Sequence, residues 1–224
     1  MIKKNERGLL VVISGPSGVG KNTICDKLVS ELDNIWLSIS MTSREKRGKE
    51  QDGVEYYFIT KEEFEKKIEN DEFLEYAIVH SNQYYGTPKA QIEEKLNHGI
   101  DVILEIDIQG ALKIKEKVPS ALFIFLMPPD MKTLKKRLIA RGTETKEKVL
   151  ERFHTAYNEI NQFKKYNYVV VNDDLCEAVE KVKAILKAEK CRVDRIEEIY
   201  LNTEEEKIHE DLIDKEFEND EMRI

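Results

Sequence analysis

The sequence predicts an α/β protein of three layers, with a parallel central sheet, a small mixed or antiparallel insert and a helical lid. Short, continuous apolar runs alternate with amphipathic, helix-like segments along most of the chain, which is typical of a parallel sheet buried on both faces. A glycine-rich turn directly follows the first apolar run. Between residues 36 and 98 the pattern changes to alternation, which is typical of half-exposed strands.

The strands and helices of the predicted main sheet follow one another in a regular order. The first strand is the apolar run GLLVVIS at residues 8–14, and the amphipathic segment from Lys21 to Leu32 follows the glycine-rich turn. Three more strand-like runs occupy residues 101–107, 121–127 and 167–171, and helix-like stretches follow them at 109–117, 130–140 and 174–190. Strands that alternate with helices predict right-handed parallel connections.

The predicted insert spans residues 36–98. Its strand-like runs are WLSISM at 36–41, EYYFIT at 55–60 and EFLEYAIV at 72–79, and helices are predicted at 61–69 and 88–98. Residues 141–165 are charged and helix-like after an initial RGTETKE, which has the small polar residues of a mobile loop.

Composition excludes several classes of protein. The 224 residues carry a formal charge of 36 − 44 = −8, so a general nucleic-acid or anionic-membrane binder is not expected. The sequence has no apolar run of the roughly 18 residues that a membrane helix needs. The three cysteines (Cys25, Cys176 and Cys191) are far apart and odd in number, so we expect reduced thiols and a cytoplasmic protein.

The net charge belongs to the last 33 residues. Residues 192–224 hold 13 acidic and 5 basic side chains, which is −8, and residues 1–191 are balanced. We therefore expect a functional domain at 1–191 and an acidic C-terminal extension at 192–224, the extension being a marginal helix or disordered.

The glycine-rich turn has the spacing of a phosphate-binding loop. Residues 15–21, here called the P-loop, are Gly15, Pro16, Ser17, Gly18, Val19, Gly20 and Lys21, a G-x-x-x-x-G-K run between a strand and a helix. Glycines let backbone N–H groups surround a phosphate chain, and the lysine reaches the terminal phosphates. Asn22 stands where Ser or Thr usually contacts Mg²⁺, so the metal ligand is left open between Asn22, the following Thr23 and water.

A second anion site is indicated in the insert. Arg44, Arg47, Tyr56 and Tyr85 would suit a phosphate dianion, because the arginine fork makes bidentate contacts. Each of these residues alone is more typical of a solvated loop or of strand packing than of an anion site.

Taken together, these motifs resemble the guanylate kinase family. The matching segments are GPSGVGKNT, SMTSREKRGKEQDGVEYYF, YYGT, EIDIQG, RGTET and VNDDL, in the family's order and spread over residues 8–190. Several positions depart from the family pattern. Ser43 replaces a threonine, Gly48-Lys49 replaces an x-Gly pair, and Glu105 replaces an aspartate.

The resemblance implies two nucleotide sites. For GMP it implies Arg44, Arg47, Tyr56 and Tyr85 at the phosphate, and Ser40, Glu75, Thr87 and Asp107 at the guanine base. For ATP it implies Gly15, Pro16, Ser17, Gly18, Val19, Gly20, Lys21, Asn22 and Thr23, with Asn172 at the adenine. The residues expected to neutralise the transferred phosphate are Lys21, Arg44, Arg137, Arg141 and Arg152, with Mg²⁺.

The implied activity is transfer of the terminal phosphate of ATP to GMP or dGMP, giving ADP and GDP. The implied domain divides into a core at about 8–35 and 100–190, a GMP-binding insert at about 36–98 and a lid at about 137–152. Two alternatives stay open at this point. One is a non-catalytic binding module of the same fold, and the other is a related kinase with a different acceptor. Whether the chain is a monomer or a homodimer is also open.

Overall fold

The structure, a computed structural model, describes residues 2–4, 7–79, 83–140 and 146–199. These residues belong to two units, one of residues 7–186 and one that joins residues 2–4 to residues 187–199. Of the predicted site residues, Arg141 lies outside the described residues, as do residues 142–145 of the expected lid. All the other predicted site residues belong to the unit of residues 7–186.

Eleven strands and seven helices are present in the described ranges. The strands are β1 (Ile2–Lys4), β2 (Leu10–Ser14), β3 (Ile35–Leu37), β4 (Met41–Thr42), β5 (Tyr57–Phe58), β6 (Phe73–Val79), β7 (Gln83–Pro88), β8 (Asp101–Glu105), β9 (Leu122–Met127), β10 (Tyr168–Val171) and β11 (Ile196–Ile199). The helices are α1 (Lys21–Glu31), α2 (Lys61–Glu69), α3 (Lys89–Asn97), α4 (Ile108–Lys117), α5 (Met131–Ala140), α6 (Lys146–Ile160) and α7 (Leu175–Glu189). Short 3₁₀ turns occupy Asn161–Lys165 and Val193–Arg195.

The main sheet has five strands in the order β10-β9-β2-β8-β3, and every pair in it is parallel. Alternate residues of the central strand β2 enter different cores, because successive side chains point to opposite faces. Val11 and Ile13 pack with α1 and α7, whereas Val12 packs with α3 and α4. The predicted three-layer α/β fold is confirmed.

Strand β3 is the main difference from the expectation for this sheet. The sequence placed residues 36–41 in the insert, but Ile35 to Leu37 pair in parallel with residues 101–103 of β8. Helix α3, also expected in the insert, buries Ile92 and Leu96 against the main sheet. A three-residue strand carries too little pattern to be assigned to a sheet, since its partner lies more than 60 residues away in the chain.

A four-stranded sheet of order β5-β4-β7-β6 forms the insert. Its β4–β5 pair is parallel and its other two pairs are antiparallel, so the predicted mixed character is confirmed. Phe64 of α2 stacks on Phe73 with ring centroids 4.4 Å apart and contacts Tyr84 at 5.1 Å. This small aromatic core holds β6 beside β7, the strand that carries Tyr85 and Thr87.

The second unit contains a two-stranded antiparallel sheet. Strand β1 pairs with β11, with Ile2 opposite Ile199. The expectation of helix or disorder in the acidic extension is therefore wrong for residues 196–199, because their pairing partner is the distant N-terminal segment. Within the described ranges, no helix is both long enough and apolar enough to span a membrane.

Candidate active site

The P-loop connects β2 to α1, and two of its glycines are required by their surroundings. Gly15 has φ 154°, and a Cβ atom there would lie 2.4 Å from the Leu126 carbonyl oxygen. Gly20, the residue before α1, has φ 100°, and a Cβ atom would lie 2.6 Å from Asn172 Nδ2. The backbone therefore turns closely between β9 and Asn172, and a side chain at either position would displace it.

Lys21 folds back over this loop from the first turn of α1. Its Nζ atom donates to the Gly15 carbonyl oxygen at 2.9 Å. A cleft of about 240 Å³, here called the loop cleft, is lined by Gly15, Ser17, Gly18, Gly20, Lys21, Asn22, Glu105, Asp107 and Glu159. Backbone N–H groups at a helix N-terminus and a lysine together favour an anion such as a phosphate chain.

A second cleft is also lined by Gly18 and Gly20. This rear cleft has a volume of about 300 Å³ and is lined by Gly18, Gly20, Thr23, Arg137, Asn172, Asp173 and Leu175. Asn172 donates from Nδ2 to the Val19 carbonyl oxygen at 2.7 Å, and Arg137 donates to the Asn172 carbonyl oxygen at 3.0 Å. These bonds tie the P-loop to the end of β10 and to α5.

A third cleft lies between the main sheet and the insert sheet. This insert cleft has a volume of about 370 Å³ and is lined by Lys21, Ser40, Tyr56, Glu75, Ala77, Tyr85, Gly86, Glu105, Ile106, Asp107 and Gly110. The structure thus brings together five of the residues predicted for GMP, which come from well-separated parts of the sequence.

Two carboxylates of the insert cleft, those of Glu75 and Asp107, are fixed by local hydrogen bonds. Thr87 donates from Oγ1 to Glu75 Oε1 at 2.9 Å, and Asp107 accepts from the Gly110 N–H at 2.7 Å as the N-cap of α4. Glu75 is buried, and this burial, with a smaller contribution from the nearby Asp107 charge, raises the pKa of its carboxyl. A Cβ at Gly110 would lie 3.3 Å from Glu75 Oε2, so glycine lets α4 approach.

Two tyrosines of the insert cleft are backed by an arginine. Tyr56 and Tyr85 line the cleft with ring centroids 5.7 Å apart. Burial raises the pKa of Tyr56, which therefore keeps its proton and can donate it. Arg44 is buried behind them and donates from Nε to the Tyr85 hydroxyl oxygen at 2.9 Å.

The other predicted arginines are spread around the clefts. Arg137 lines the rear cleft, Arg47 is exposed on the loop after β4, and Arg152 is half-buried on α6. Among the described residues, Arg47 and Arg152 do not line any of the three clefts.

The loop cleft and the insert cleft share one wall. Lys21, Glu105 and Asp107 line both of them. An anion held by the P-loop and a second ligand held by the insert would therefore meet beside one lysine and two carboxylates. This arrangement places two substrates for direct transfer of a group between them.

A protein-family model described as guanylate kinase matches residues 7–189 of this chain. The chain belongs to the guanylate kinase family. It is 56% identical over 213 residues to a guanylate kinase of Clostridium perfringens (strain SM101 / Type A). The aligned region covers 95% of this chain and 98% of that protein. It is 55% identical over 210 residues to a guanylate kinase of Clostridium acetobutylicum, covering 94% and 100% respectively.

A solved guanylate kinase structure supports the same relationship. The crystal structure of the enzyme from Anaplasma phagocytophilum matches with a TM-score of 0.71 at 31% identity, over 96% of this chain and 97% of that one. The alignment with the C. perfringens guanylate kinase also reaches the acidic extension. Its 213 residues exceed the 191 that precede the extension by 22, so at least 22 extension positions are aligned. The last of the motifs quoted above, VNDDL, ends at residue 175, so the motifs did not reveal this.

Four acidic residues of this guanylate kinase family member lie at the site but were not predicted as site residues: Glu50, Glu159 and the cleft-lining Glu105 and Asp173. Glu50 binds Arg44 through both carboxylate oxygens. Glu159 of α6 lines the loop cleft and accepts from the Ser17 N–H. Glu50 lies inside the quoted segment SMTSREKRGKEQDGVEYYF, so the sequence held a signal for it. Glu159 belongs to no quoted motif, and only the fold brings it to the P-loop.

The loop cleft offers oxygen ligands of the kind that Mg²⁺ prefers. Asn22, Glu105 and Asp107 line it, whereas Thr23 lines the rear cleft. Within the described part of the chain, no group of three or more His, Cys, Asp or Glu side chains is placed to hold a metal. The residues therefore fit a Mg²⁺ ion held by a few protein oxygens together with substrate phosphates and water.

Proposed function

We propose that this chain transfers the terminal phosphate of ATP to GMP, and to dGMP, giving ADP and GDP. The observation that carries the proposal is the wall of Lys21, Glu105 and Asp107 shared by the P-loop cleft and the insert cleft. Membership of the guanylate kinase family supports it.

The insert cleft has the groups that guanine requires. Guanine presents N–H donors at N1 and the 2-amino group, for which Glu75 and Asp107 are suitable acceptors. Ser40 lines the cleft and would provide a hydroxyl for O6, whereas the Thr87 hydroxyl donates to Glu75 and orients that carboxylate. Adenine has no 2-amino group and would leave a buried carboxylate unpaired, so such a site discriminates by roughly 10⁴-fold or more.

The acceptor phosphate would lie against Tyr56 and Tyr85, with Arg44 behind them and Arg47 on the exposed loop. The triphosphate of ATP would occupy the loop cleft and the adenine would lie in the rear cleft, near Asn172. The GMP phosphate oxygen would then attack the terminal phosphate of ATP beside Lys21.

Phosphoryl transfer depends on positioning and on neutralising charge more than on an acid or a base. We assign neutralisation to Lys21, Arg137, Arg141 and Arg152, supported by Arg44 through Tyr85. A bound Mg²⁺ would supply positive charge that neutralises the phosphates of ATP. Asn22, Glu105 and Asp107 would hold it directly or through water.

A nucleotide panel tests the proposal. ADP release would be measured with ATP and each of GMP, dGMP, AMP, CMP and UMP. We expect turnover with GMP and dGMP and turnover at least about 10³-fold lower with AMP. Absence of turnover with GMP, or faster turnover with AMP, would refute the proposed reaction and leave a related kinase with another acceptor.

A non-catalytic binding module is the second possibility, and ATP separates it from the kinase. A module that binds only a peptide has no use for the P-loop, so ATP would not raise its melting temperature. We expect saturating ATP to stabilise this protein, by about 2.7 kcal/mol at 100 times the dissociation constant.

The domain organisation remains a prediction. It comprises a domain at residues 1–191 and its division into core, insert and lid. The choice between monomer and homodimer stays open.

A further inference from the structure

Glu50 holds Arg44 with both of its carboxylate oxygens. Arg44 donates from Nη1 to Oε2 and from Nη2 to Oε1, each at 2.7 Å. The Arg44 side chain is 4% exposed and that of Glu50 is 21% exposed. A bidentate pair this well shielded from water fixes the plane of the guanidinium as well as its position.

The remaining contacts of Arg44 also hold it in place. Nη1 donates to the Glu45 carbonyl oxygen at 2.8 Å, and the guanidinium carbon lies 5.1 Å from the Tyr56 ring centroid and 5.5 Å from that of Phe58. With the bond from Nε to Tyr85, four of the five guanidinium N–H groups are directed to protein acceptors.

Glu50, Arg44 and Tyr85 are joined in a series of hydrogen bonds, and Tyr85 is the residue of this series that lines the insert cleft. Its hydroxyl oxygen accepts from Arg44 Nε, so its own proton is available to an acceptor in the cleft. Hydrogen bonds in a chain polarise one another, and a cation behind a hydroxyl makes that hydroxyl a stronger donor. The order of contacts runs from Glu50 through Arg44 to Tyr85.

Glu50 also closes the loop that carries the second arginine. Oε2 accepts from the Arg47 N–H at 2.8 Å, and the Glu50 N–H donates to the Arg47 carbonyl oxygen at 3.1 Å. The Arg44 guanidinium, the largest influence, and the Arg47 N–H lower the pKa of Glu50 to about 2. The carboxylate is therefore charged throughout the physiological range.

A negative charge near a phosphate-binding site opposes the binding of a dianion, so Glu50 must contribute something else. Building on the proposed function, we propose that Glu50 is a positioning residue, which fixes Arg44 so that the Tyr85 hydroxyl is aimed at the phosphate of the acceptor nucleotide. Positioning and simple charge balance predict opposite results when Glu50 is removed.

The test compares GMP with guanosine, which has the same base and no phosphate. We expect Glu50→Ala to weaken GMP binding at least about tenfold, although it removes a negative charge, and to leave guanosine and ATP binding within about twofold. The matched control is Glu45→Ala, which removes an exposed carboxylate from the same loop. It should leave GMP binding unchanged or slightly tighter.

Each result decides the question. Equal or tighter GMP binding by Glu50→Ala would show that Glu50 only balances charge. An equal loss for GMP and guanosine would show that it only supports the fold of the insert. If the alanine variant does not fold, Glu50→Asp and Glu50→Gln serve, and both should weaken GMP selectively, by less than tenfold. If the unaltered protein does not bind GMP, the proposed function itself is wrong.

Discussion

Glu75 shows how a single buried residue serves binding at a cost in stability. Its carboxylate is buried beside Asp107, and burial raises its pKa, so the folded protein holds this proton more tightly than the unfolded chain. Stability contributed by the protonated form is lost as the pH rises through the raised pKa. Once ionised, Glu75 therefore destabilises the fold.

Replacement of Glu75 by glutamine should separate stability from binding. We expect Glu75→Gln to raise stability by about 1 kcal/mol, or roughly 2–4 °C in Tm. GMP binding should weaken at least about tenfold, because an acceptor for the guanine N–H groups is lost. Calorimetric melting and titration with GMP would measure both, and a lower Tm together with unchanged binding would contradict this account.

Binding of the base should depend on pH through the same group. As the pH is lowered through the range in which Glu75 takes up a proton, a range that burial raises above that of an ordinary glutamate, the carboxyl can no longer accept from guanine and guanosine binding should weaken. Guanosine is the suitable probe, since it carries no phosphate that titrates in this range. The dependence should be much smaller in Glu75→Gln, and an unchanged profile there would assign the effect to another group.

At the scale of elements, helix α6 brings a negative charge to the P-loop. It packs on α5 through Leu134, Leu138 and Ala156. From its last turn, Glu159 reaches the loop cleft, where its Oε2 atom is buried without a partner among the described residues. Burial raises the pKa of this carboxyl. The carboxylate accepts from Ser17, a backbone donor that a phosphate would also use.

Glu159→Gln should therefore bind ATP more tightly. Without the negative charge, the P-loop is open to the triphosphate, and we expect ATP binding in the absence of Mg²⁺ to strengthen about fivefold. Glu177→Gln, which removes an exposed carboxylate from α7, is the control and should change nothing. Weaker ATP binding by Glu159→Gln would instead indicate that the carboxylate supports the nucleotide or its metal.

The sequence predicted the strands and helices that a contiguous stretch of residues specifies. It could not predict the strands that form only by pairing with a distant segment. The strand, P-loop and helix from residue 8 to 32 are contiguous and were predicted correctly. Strands β3 and β11 are short and pair with distant segments, so local periodicity could not reveal them.

The same distinction holds inside the candidate site. Motifs named Ser40, Tyr56, Glu75, Tyr85 and Asp107, and the fold brings these residues to one cleft. A motif names residues but not their contacts. It could not show that Arg44 lies behind Tyr85, or that Glu159 approaches the P-loop from a helix far along the chain.

For the whole molecule, the candidate site and the acidic extension are separate in sequence. All residues that line the three clefts lie between Gly15 and Leu175, and the family model ends at residue 189. The extension carries the full charge of −8.

A chain ending at residue 191 should keep its activity. Removing residues 192–224 deletes β11, the partner of β1, but no residue that lines the three clefts. We expect kcat and both KM values within about twofold of the full chain at about 0.15 M salt, where charges are screened beyond about 8 Å. Light scattering on both forms would show whether the extension alters the oligomeric state, and loss of activity would assign it a role in the site.

The wall shared by the two clefts has a thermodynamic consequence. Because Lys21 lines both, a phosphate chain bound on one side changes the field felt by a ligand on the other. The factor by which bound ATP alters the affinity for GMP must then equal the factor by which bound GMP alters the affinity for ATP. Each substrate is thus an effector of the other, across the wall of Lys21, Glu105 and Asp107.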